Sequence, residues 1–193
     1  MKPRQQKGIS MSKKISVFGG SAPKPGSPPY QQAYELGQLL GGAGLTVLTG
    51  GYTGTMEATS RGASEAGGHV IGVTSAEIEA WRPIGPNAWV AEEWRTETLN
   101  ERLNALVTSC DAAIALPGGI GTLLEIALTW NQLAVDILKP KPVILLGNGW
   151  HTVMEAFFAE FGEYVAMDDR QYLAFAPNPH TALELLTQFL GLA

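Results

Sequence analysis

Cysteine and histidine are scarce in this chain. Cys110 is the single cysteine among 193 residues, so no disulfide can form within the chain, and a lone thiol is typical of reducing compartments. We therefore expect a cytoplasmic protein. His69, His151 and His180 have no second His or Cys at the spacing of metal ligands, so we expect no metal site.

Long apolar runs are also missing. No uncharged apolar segment is long enough to cross a bilayer, and the N-terminus lacks the apolar stretch of a signal peptide. The sequence thus predicts no membrane association. Hydrophobic residues make up 45% of the chain, and a chain of this length can bury a full core in one domain.

Positive charge is sparse outside the N-terminus. Five of the 13 basic residues lie in residues 1–14, which we interpret as a disordered basic leader to a single domain over residues 15–193. That domain holds eight basic and 18 acidic residues, a composition that argues against binding of nucleic-acid polymers. If the protein binds a small anion, it must do so with few cationic side chains.

Short apolar strands alternate with helical segments along residues 15–193. The pattern predicts strands over 15–18, 45–48, 69–73, 89–91, 112–116 and 142–146, and helices over 30–40, 55–66, 96–109, 122–135, 152–161 and 181–190. Continuous apolar strands are typical of a parallel sheet covered on both faces. We therefore predict a doubly wound, Rossmann-like α/β fold with helices on both faces of one parallel sheet.

Glycine pairs follow three of the predicted strands, at Gly19-Gly20, Gly50-Gly51 and Gly118-Gly119. In doubly wound sheets, ligands bind where such turns meet helix N-termini. The third turn lies in Leu116-Pro-Gly-Gly-Ile-Gly-Thr-Leu-Leu-Glu125, and its backbone amides could bind an anion without any lysine. Glycine and threonine also suit any strand-to-helix turn for steric and capping reasons, so this turn alone does not establish a site.

Common nucleotide and cofactor motifs are absent. No G-x-x-x-x-G-K-[ST] sequence occurs, which excludes a P-loop, and no complete G-x-G-x-x-G follows a strand, which leaves a dinucleotide site unsupported. Four of the seven lysines lie in the leader and two others alternate with prolines, which argues against Schiff-base chemistry. We therefore predict no cofactor.

Two charged side chains lie near the glycine turns. Glu125 follows Thr122 by one helical turn, and a carboxylate there suits ribose hydroxyls or a developing cation better than a phosphate. Arg102 lies at the start of the preceding helix beside core-type leucines, with Asn100 and Glu101 as further candidates. Arg102 could hold a ligand, but an arginine at the edge of a buried stripe could equally extend its charge to solvent.

Together these motifs resemble the LOG (Lonely Guy) family, once taken for lysine decarboxylases. The hallmark P-G-G-x-G-T-x-x-E is complete from Pro117 to Glu125. Val17 to Ser21 resembles the family's first-strand turn, and Gly50 to Met56 is similar to its second glycine motif. The resemblance covers most of residues 15–150.

The family's other motif, M-H-E-R-K, is only partly kept. The matching stretch is Leu99-Asn-Glu-Arg-Leu103, which retains Glu101 and Arg102. Further departures at Thr49 and Leu124 mark a divergent branch, which leaves the accepted base open.

The resemblance implies a cytokinin riboside 5′-monophosphate phosphoribohydrolase or a related enzyme, a hydrolase that releases free base and ribose 5-phosphate from a nucleoside 5′-monophosphate. By the same resemblance, Arg102 and Glu125 are the catalytic residues. The base would be adenine or an N6-substituted adenine. The 5′-phosphate is expected on the glycine turns and neighbouring hydroxyls, namely Gly20, Ser21, Gly50, Gly51, Thr53, Gly54, Gly118, Gly119, Gly121 and Thr122.

The resemblance also implies a homodimer, for which Trp130 and Leu133 are candidate contacts. The alternative is a non-catalytic nucleotide-binding or molybdenum-cofactor carrier protein of the same fold. A carrier would keep the phosphate-binding glycines but would not need Arg102 and Glu125 together. The presence of both favours the enzyme.

Overall fold

Seven parallel strands form one sheet in the computed structural model, which describes residues 12–192. The strands are β1 (Lys14–Phe18), β2 (Thr46–Thr49), β3 (Val70–Ser75), β4 (Glu92–Thr96), β5 (Ala112–Ala115), β6 (Val143–Leu146) and β7 (Leu173–Ala176). Their spatial order is β4-β3-β2-β1-β5-β6-β7. The predicted doubly wound α/β fold is confirmed.

Helices connect the strands and cover both faces of the sheet. They are α1 (Pro28–Gly42), α2 (Thr55–Glu65), α3 (Ala76–Trp81), α4 (Leu99–Thr108), α5 (Ile120–Ala134), α6 (Asn148–Phe161), α7 (Met167–Arg170) and α8 (Pro179–Leu190), with a 3-10 turn at Gly162–Tyr164. No helix within residues 12–192 is long and apolar enough to span a membrane.

Two apolar clusters fill the spaces between the sheet and its helices. Because successive strand side chains point to opposite faces, Ile114 packs in the cluster formed with α1, α2 and α8, whereas Ala113 and Ala115 pack in the cluster formed with α4, α5 and α6. Burial on both faces explains why the central strands are apolar at nearly every position.

The chain adds strands outward from β1 in one direction and outward from β5 in the other, and the point between these two strands determines where the ligand crevice lies. These two strands are neighbours in the centre of the sheet, with Ser16 paired to Ala113. The helices that follow them, α1 and α5, lie on opposite faces of the sheet. A crevice therefore opens beyond the carboxyl ends of β1 and β5, where doubly wound sheets bind ligands.

The start of the domain differs from the prediction. Lys14 begins β1, and its backbone N–H donates to Asp111 Oδ2 at 2.8 Å, while Lys13 Nζ donates to Asp111 Oδ1 at 2.8 Å. The leader predicted over residues 1–14 is therefore too long at its C-terminal end. Its remaining part, residues 1–11, lies outside the described residues.

The predicted dimer contacts are also corrected in part. Leu133 is only 1% exposed because it belongs to the core cluster under α5, so its prediction as a subunit contact is wrong. Trp130 is half-buried, and its Nε1 donates to Asp169 O at 2.8 Å. Its ring packs edge-on against Phe157 and Phe158.

Candidate active site

The turns that follow β1, β2 and β5 meet around one cavity of about 420 Å³ at the crevice. Residues from all three turns line it, together with side chains from α3, α4 and α5. The predicted site residues in its lining are Gly20, Ser21, Thr53, Arg102, Gly119, Gly121, Thr122 and Glu125. The structure thus brings together most of the residues that the sequence singled out.

The other predicted glycines lie behind the cavity and let the turns approach one another. Gly54 has a φ of +76°, and a side chain there would overlap the backbone of Gly20 and Ser21. A side chain at Gly118 would overlap Thr122. These contacts explain glycine at the turns after β2 and β5 by close backbone packing, without direct contact with the cavity.

The N-terminus of α5 supplies a positive end to the cavity. Gly119 is the N-cap residue and provides no side-chain cap, and the first-turn amides of a helix have no partners within the helix. These amides and the helix dipole together can bind an anion. Such a site needs no lysine, so the low number of cations in the domain is compatible with anion binding.

Arg102 reaches the cavity from the first turn of α4 and is only 6% exposed. Its Nε donates to Val73 O at 2.7 Å, and its Nη2 donates to Gly50 O at 3.2 Å. A side chain at Gly50 would overlap Nη2, so glycine at this position makes room for the guanidinium. Arg102 is therefore fixed by two backbone carbonyls at the ends of neighbouring strands, and it does not extend to solvent.

Asn100 and Glu101 do not line the cavity, although both were candidates. Glu101 forms a capping box with Thr98: its Oε2 accepts from Thr98 N at 3.1 Å, and Thr98 Oγ1 accepts from Glu101 N at 3.2 Å. Asn100 is exposed. The capping box fixes the start of α4 and hence the direction in which Arg102 leaves the helix.

Glu125 is 8% exposed and lies one turn into α5, where it lines the cavity. Burial raises the pKa of its carboxyl group to about 7, against the opposing effect of the Arg102 charge. Burial also lowers the pKa of Arg102, an effect that Glu125 counteracts. Within residues 12–192, no group hydrogen-bonds the Glu125 carboxylate or forms an ion pair with it, so its oxygens are available to a ligand.

One wall of the cavity was not predicted. It comes from α3 and the loop after it, where Trp81 is 82% exposed and Arg82 adds a second cation to the lining. The lining residues that were not among the predicted site residues are Gly19, Tyr52, Met56, Ile78, Trp81, Arg82, Ile84, Leu99 and Ile120. The segment rich in Trp and Pro, Trp81 to Pro86, marks this part of the chain as unusual, but its composition alone does not place it over the cavity.

The described residues contain no group of three or more His, Cys, Asp or Glu side chains that could hold a metal ion. The cavity presents a buried carboxyl group, a fixed guanidinium and the backbone amides of the first turn of α5.

Comparison with known proteins identifies relatives along nearly the whole chain. The SLOG cluster4 family model matches residues 12–172. The probable cytokinin riboside 5′-monophosphate phosphoribohydrolase LOGL5 of Oryza sativa subsp. japonica is 34% identical over 187 residues, which cover 94% of this chain and 74% of that protein. The cytokinin riboside 5′-monophosphate phosphoribohydrolase LOG of the same organism is 35% identical over 92% of this chain and 72% of its own length.

A solved structure of similar size matches as well. The molybdenum cofactor binding protein from Rippkaea orientalis superposes with a TM-score of 0.74 at 30% identity, and the match covers 94% of this chain and 99% of that one. The resemblance to LOG proteins predicted from the motifs is confirmed, and the chain belongs to the SLOG cluster4 family.

Proposed function

We propose that this protein is a nucleoside 5′-monophosphate phosphoribohydrolase, which hydrolyses the N-glycosidic bond to release a free base and ribose 5-phosphate. The observation that carries the proposal is the presence of buried Arg102 and Glu125 in one cavity with the uncapped N-terminus of α5. Relatives of 34% and 35% identity are named as a probable cytokinin riboside 5′-monophosphate phosphoribohydrolase and as a cytokinin riboside 5′-monophosphate phosphoribohydrolase.

The phosphate is proposed to bind at the N-terminus of α5. The first-turn amides around Gly121 and Thr122 donate to its oxygens, and the helix dipole favours its negative charge. Ser21 and Thr53 line the same cavity and provide hydroxyl donors from the turns after β1 and β2. Among the described residues the Thr53 hydroxyl makes only a long hydrogen bond, to Ser21 O at 3.4 Å, so it can turn toward a ligand.

Glu125 is proposed to act on the ribose. Cleavage of the bond between C1′ and the base nitrogen leaves positive charge on the sugar, and its electron pair departs with the base. The Glu125 carboxylate stabilises that charge and accepts a proton from the water that adds to C1′. This proton then passes to the departing base nitrogen, which restores the carboxylate and releases a neutral base. A pKa of about 7 suits a group that must accept a proton at neutral pH.

Arg102 is proposed to orient the nucleotide. Its Nε and one N–H of Nη2 are held by Val73 and Gly50, which leaves the Nη1 end free to donate to the phosphate, the ribose or the departing base. Because the guanidinium is already fixed before the ligand binds, little conformational entropy is lost on binding.

The base is proposed to bind against the wall contributed by α3 and its loop. Ile78, Trp81, Ile84 and Leu99 give this wall an apolar and aromatic surface that suits a flat base such as adenine or an N6-substituted adenine.

The test is incubation of the protein with AMP and chromatographic detection of adenine and ribose 5-phosphate. The Glu125→Gln variant should lose base release by a factor of about 100 or more while it retains its circular dichroism spectrum. Glu184→Gln, a matched change of an exposed carboxylate on α8, should retain full activity. Unchanged turnover by Glu125→Gln would exclude the proposed mechanism.

The second candidate is a non-catalytic binding or carrier protein. The observation that favours it is the match to a molybdenum cofactor binding protein, of which this chain covers 99%. Such a protein would bind nucleotides or the molybdenum cofactor without cleavage. Calorimetry measures binding across a panel of nucleotides, and chromatography measures release of base. Binding without any release of base would support the carrier function and contradict the enzymatic one.

We also propose that the protein is a cytoplasmic homodimer. Support for the dimer comes from an exposed apolar surface, here called the α5–α6 face, which consists of Ile120, Leu123, Leu124, Val153, Phe157 and Phe161. Val153, Phe157 and Phe161 follow at intervals of four residues and so lie on one side of α6. The lone Cys110 supports a reducing compartment.

A further inference from the structure

Tyr52 is a buried aromatic residue that contacts Arg102 at the edge of the cavity. It follows the Gly50-Gly51 turn, is only 5% exposed and lines the cavity. The Cζ atom of Arg102 lies 5.6 Å from the centre of the Tyr52 ring, a distance typical of a cation–π contact. Such contacts are strongest where both groups are removed from water, as they are here.

Hydrogen bonds fix Tyr52 at both ends. Its hydroxyl accepts from Ser75 N at 2.8 Å, at the junction of β3 and α3, and lies 3.3 Å from Ser75 O. At the backbone end, Asn87 Nδ2 donates to Gly51 O at 2.9 Å and to Tyr52 O at 3.0 Å. The ring therefore has a fixed position relative to three segments that surround the cavity.

Within the part of the chain that the structure describes, no carboxylate hydrogen-bonds Arg102, so its position depends on backbone carbonyls and on neighbouring side chains. Within residues 12–192 its nitrogen atoms donate to the carbonyls of Val73 and Gly50, with Met56 Sδ a more distant contact at 3.9 Å. These bonds hold one edge of the guanidinium. The Tyr52 ring adds a contact to the guanidinium carbon, which these hydrogen bonds do not involve.

We propose that Tyr52 is a positioning residue for the reaction, in which its buried aromatic ring keeps Arg102 directed into the cavity. The proposal rests on the proposed function, since it assumes that Arg102 acts on the nucleotide. Tyr52 itself transfers no proton, because its hydroxyl is bound to Ser75 and burial raises its pKa above the usual value.

The first test observes Arg102 without any ligand. In an NMR spectrum of ¹⁵N-arginine-labelled protein, the Arg102 Nε–H is assigned by its loss in Arg102→Lys. Tyr52→Leu and Tyr52→Met, which remove the ring, should speed exchange of this proton with solvent by about tenfold or more, whereas Tyr52→Phe should keep it slow. Tyr34→Leu is the matched control, because it removes a ring that lies 5.5 Å from Arg61 on the other face of the sheet.

The second test separates positioning from substrate affinity. With AMP as substrate, Tyr52→Leu should lower kcat by about tenfold and change KM by less than threefold, and Tyr52→Phe should restore most of kcat. Melting curves show whether each variant is folded, and Tyr52→Met replaces Tyr52→Leu if the latter is unfolded.

The results of the two tests distinguish failure of the positioning role from failure of the proposed function. Slow exchange of the Arg102 Nε–H in both Tyr52→Leu and Tyr52→Met, or equal loss of kcat in Tyr52→Phe and Tyr52→Leu, overturns the positioning role. Faster exchange in a protein whose wild type releases no base supports the positioning of Arg102 but overturns the proposed function.

Discussion

At the scale of single residues, Glu125 shows a conflict between folding and chemistry. The side chain is 8% exposed, its carboxylate has no hydrogen-bond partner within the described residues, and its pKa is raised to about 7 by burial. Because ionisation is less favourable in the folded protein than in the unfolded chain, the charged form destabilises the fold. The proposed reaction uses this carboxylate because its oxygens have no partner in the protein and are available to a ligand.

Replacement of Glu125 by Gln should therefore stabilise the protein in a pH-dependent manner. The folded-state pKa lies above the usual value of 4.5, so wild-type stability is greatest below pH 4.5 and decreases as pH rises through about 7. The shift corresponds to about 3 kcal/mol, so Glu125→Gln should raise the free energy of unfolding by up to that amount at pH 8 and by little at pH 4. Urea titrations measure the difference, with Glu184→Gln as the control. An equal effect at both pH values would contradict the burial of an ionised Glu125.

Activity should follow the ionisation of the same group. If the carboxylate form stabilises the ribosyl cation, kcat/KM for base release should rise as pH increases through about 7. Arginine does not lose its proton in proteins, and the raised pKa of Tyr52 keeps its hydroxyl neutral in this range, so neither residue adds an inflection. Initial rates between pH 5 and pH 9 provide the measurement. A rate that falls across this range would assign Glu125 the role of a proton donor.

At the scale of elements, burial determined which parts of the fold were predictable. β5 (Ala112–Ala115) is buried on both faces, so its apolar run revealed it. β4 (Glu92–Thr96) is an edge strand with exposed charged residues, so no apolar run marks it, and the prediction of a strand over 89–91 was wrong. β7 (Leu173–Ala176), at the other edge, was not predicted although its four residues are apolar, because so short an apolar run does not distinguish a strand from other structure.

Some parts of the candidate site were likewise predictable from the sequence and others were not. Arg102 and Glu125 were found because they lie in local motifs on helices that follow recognisable turns. The wall from α3 was not found, because α3 is a six-residue helix with no buried residues, so its sequence has no core-facing periodicity. Its position over the cavity depends on tertiary contacts, such as those of Asn87 with the Gly51 turn, which a local pattern does not contain.

Trp81 should contribute to binding and little to stability. Because its side chain is 82% exposed and lines the cavity, Trp81→Ala should raise KM for AMP by about tenfold, as loss of a stacking surface does, and leave the melting temperature nearly unchanged. Phe189→Ala, which truncates an exposed aromatic residue on α8, serves as the control and should leave KM unchanged. An unchanged KM in Trp81→Ala would exclude a role for this wall in base binding.

At the scale of the whole molecule, net charge bears on the binding of nucleotides, and the exposed apolar surface bears on the binding of a second copy of the chain. The domain is acidic, which disfavours long polyanions, yet the amides of α5 can bind a single phosphate, so net charge does not exclude a nucleotide. The α5–α6 face is apolar and begins at Ile120, which is 87% exposed and also lines the cavity. A second copy on this face would therefore cover part of the cavity rim.

The proposed dimer can be tested by substitution of two phenylalanines whose side chains are almost equally exposed. Phe161 on α6 is 52% exposed and belongs to the α5–α6 face, whereas Phe189 on α8 is 53% exposed and lies on the other side of the sheet. A glutamate at a dimer interface would bury an unpaired charge, so Phe161→Glu should dissociate the dimer, whereas Phe189→Glu should not. Size-exclusion chromatography with light scattering measures the mass at several protein concentrations. A wild-type mass equal to one chain at all concentrations would refute the dimer, and dissociation by Phe189→Glu alone would move the interface to α8.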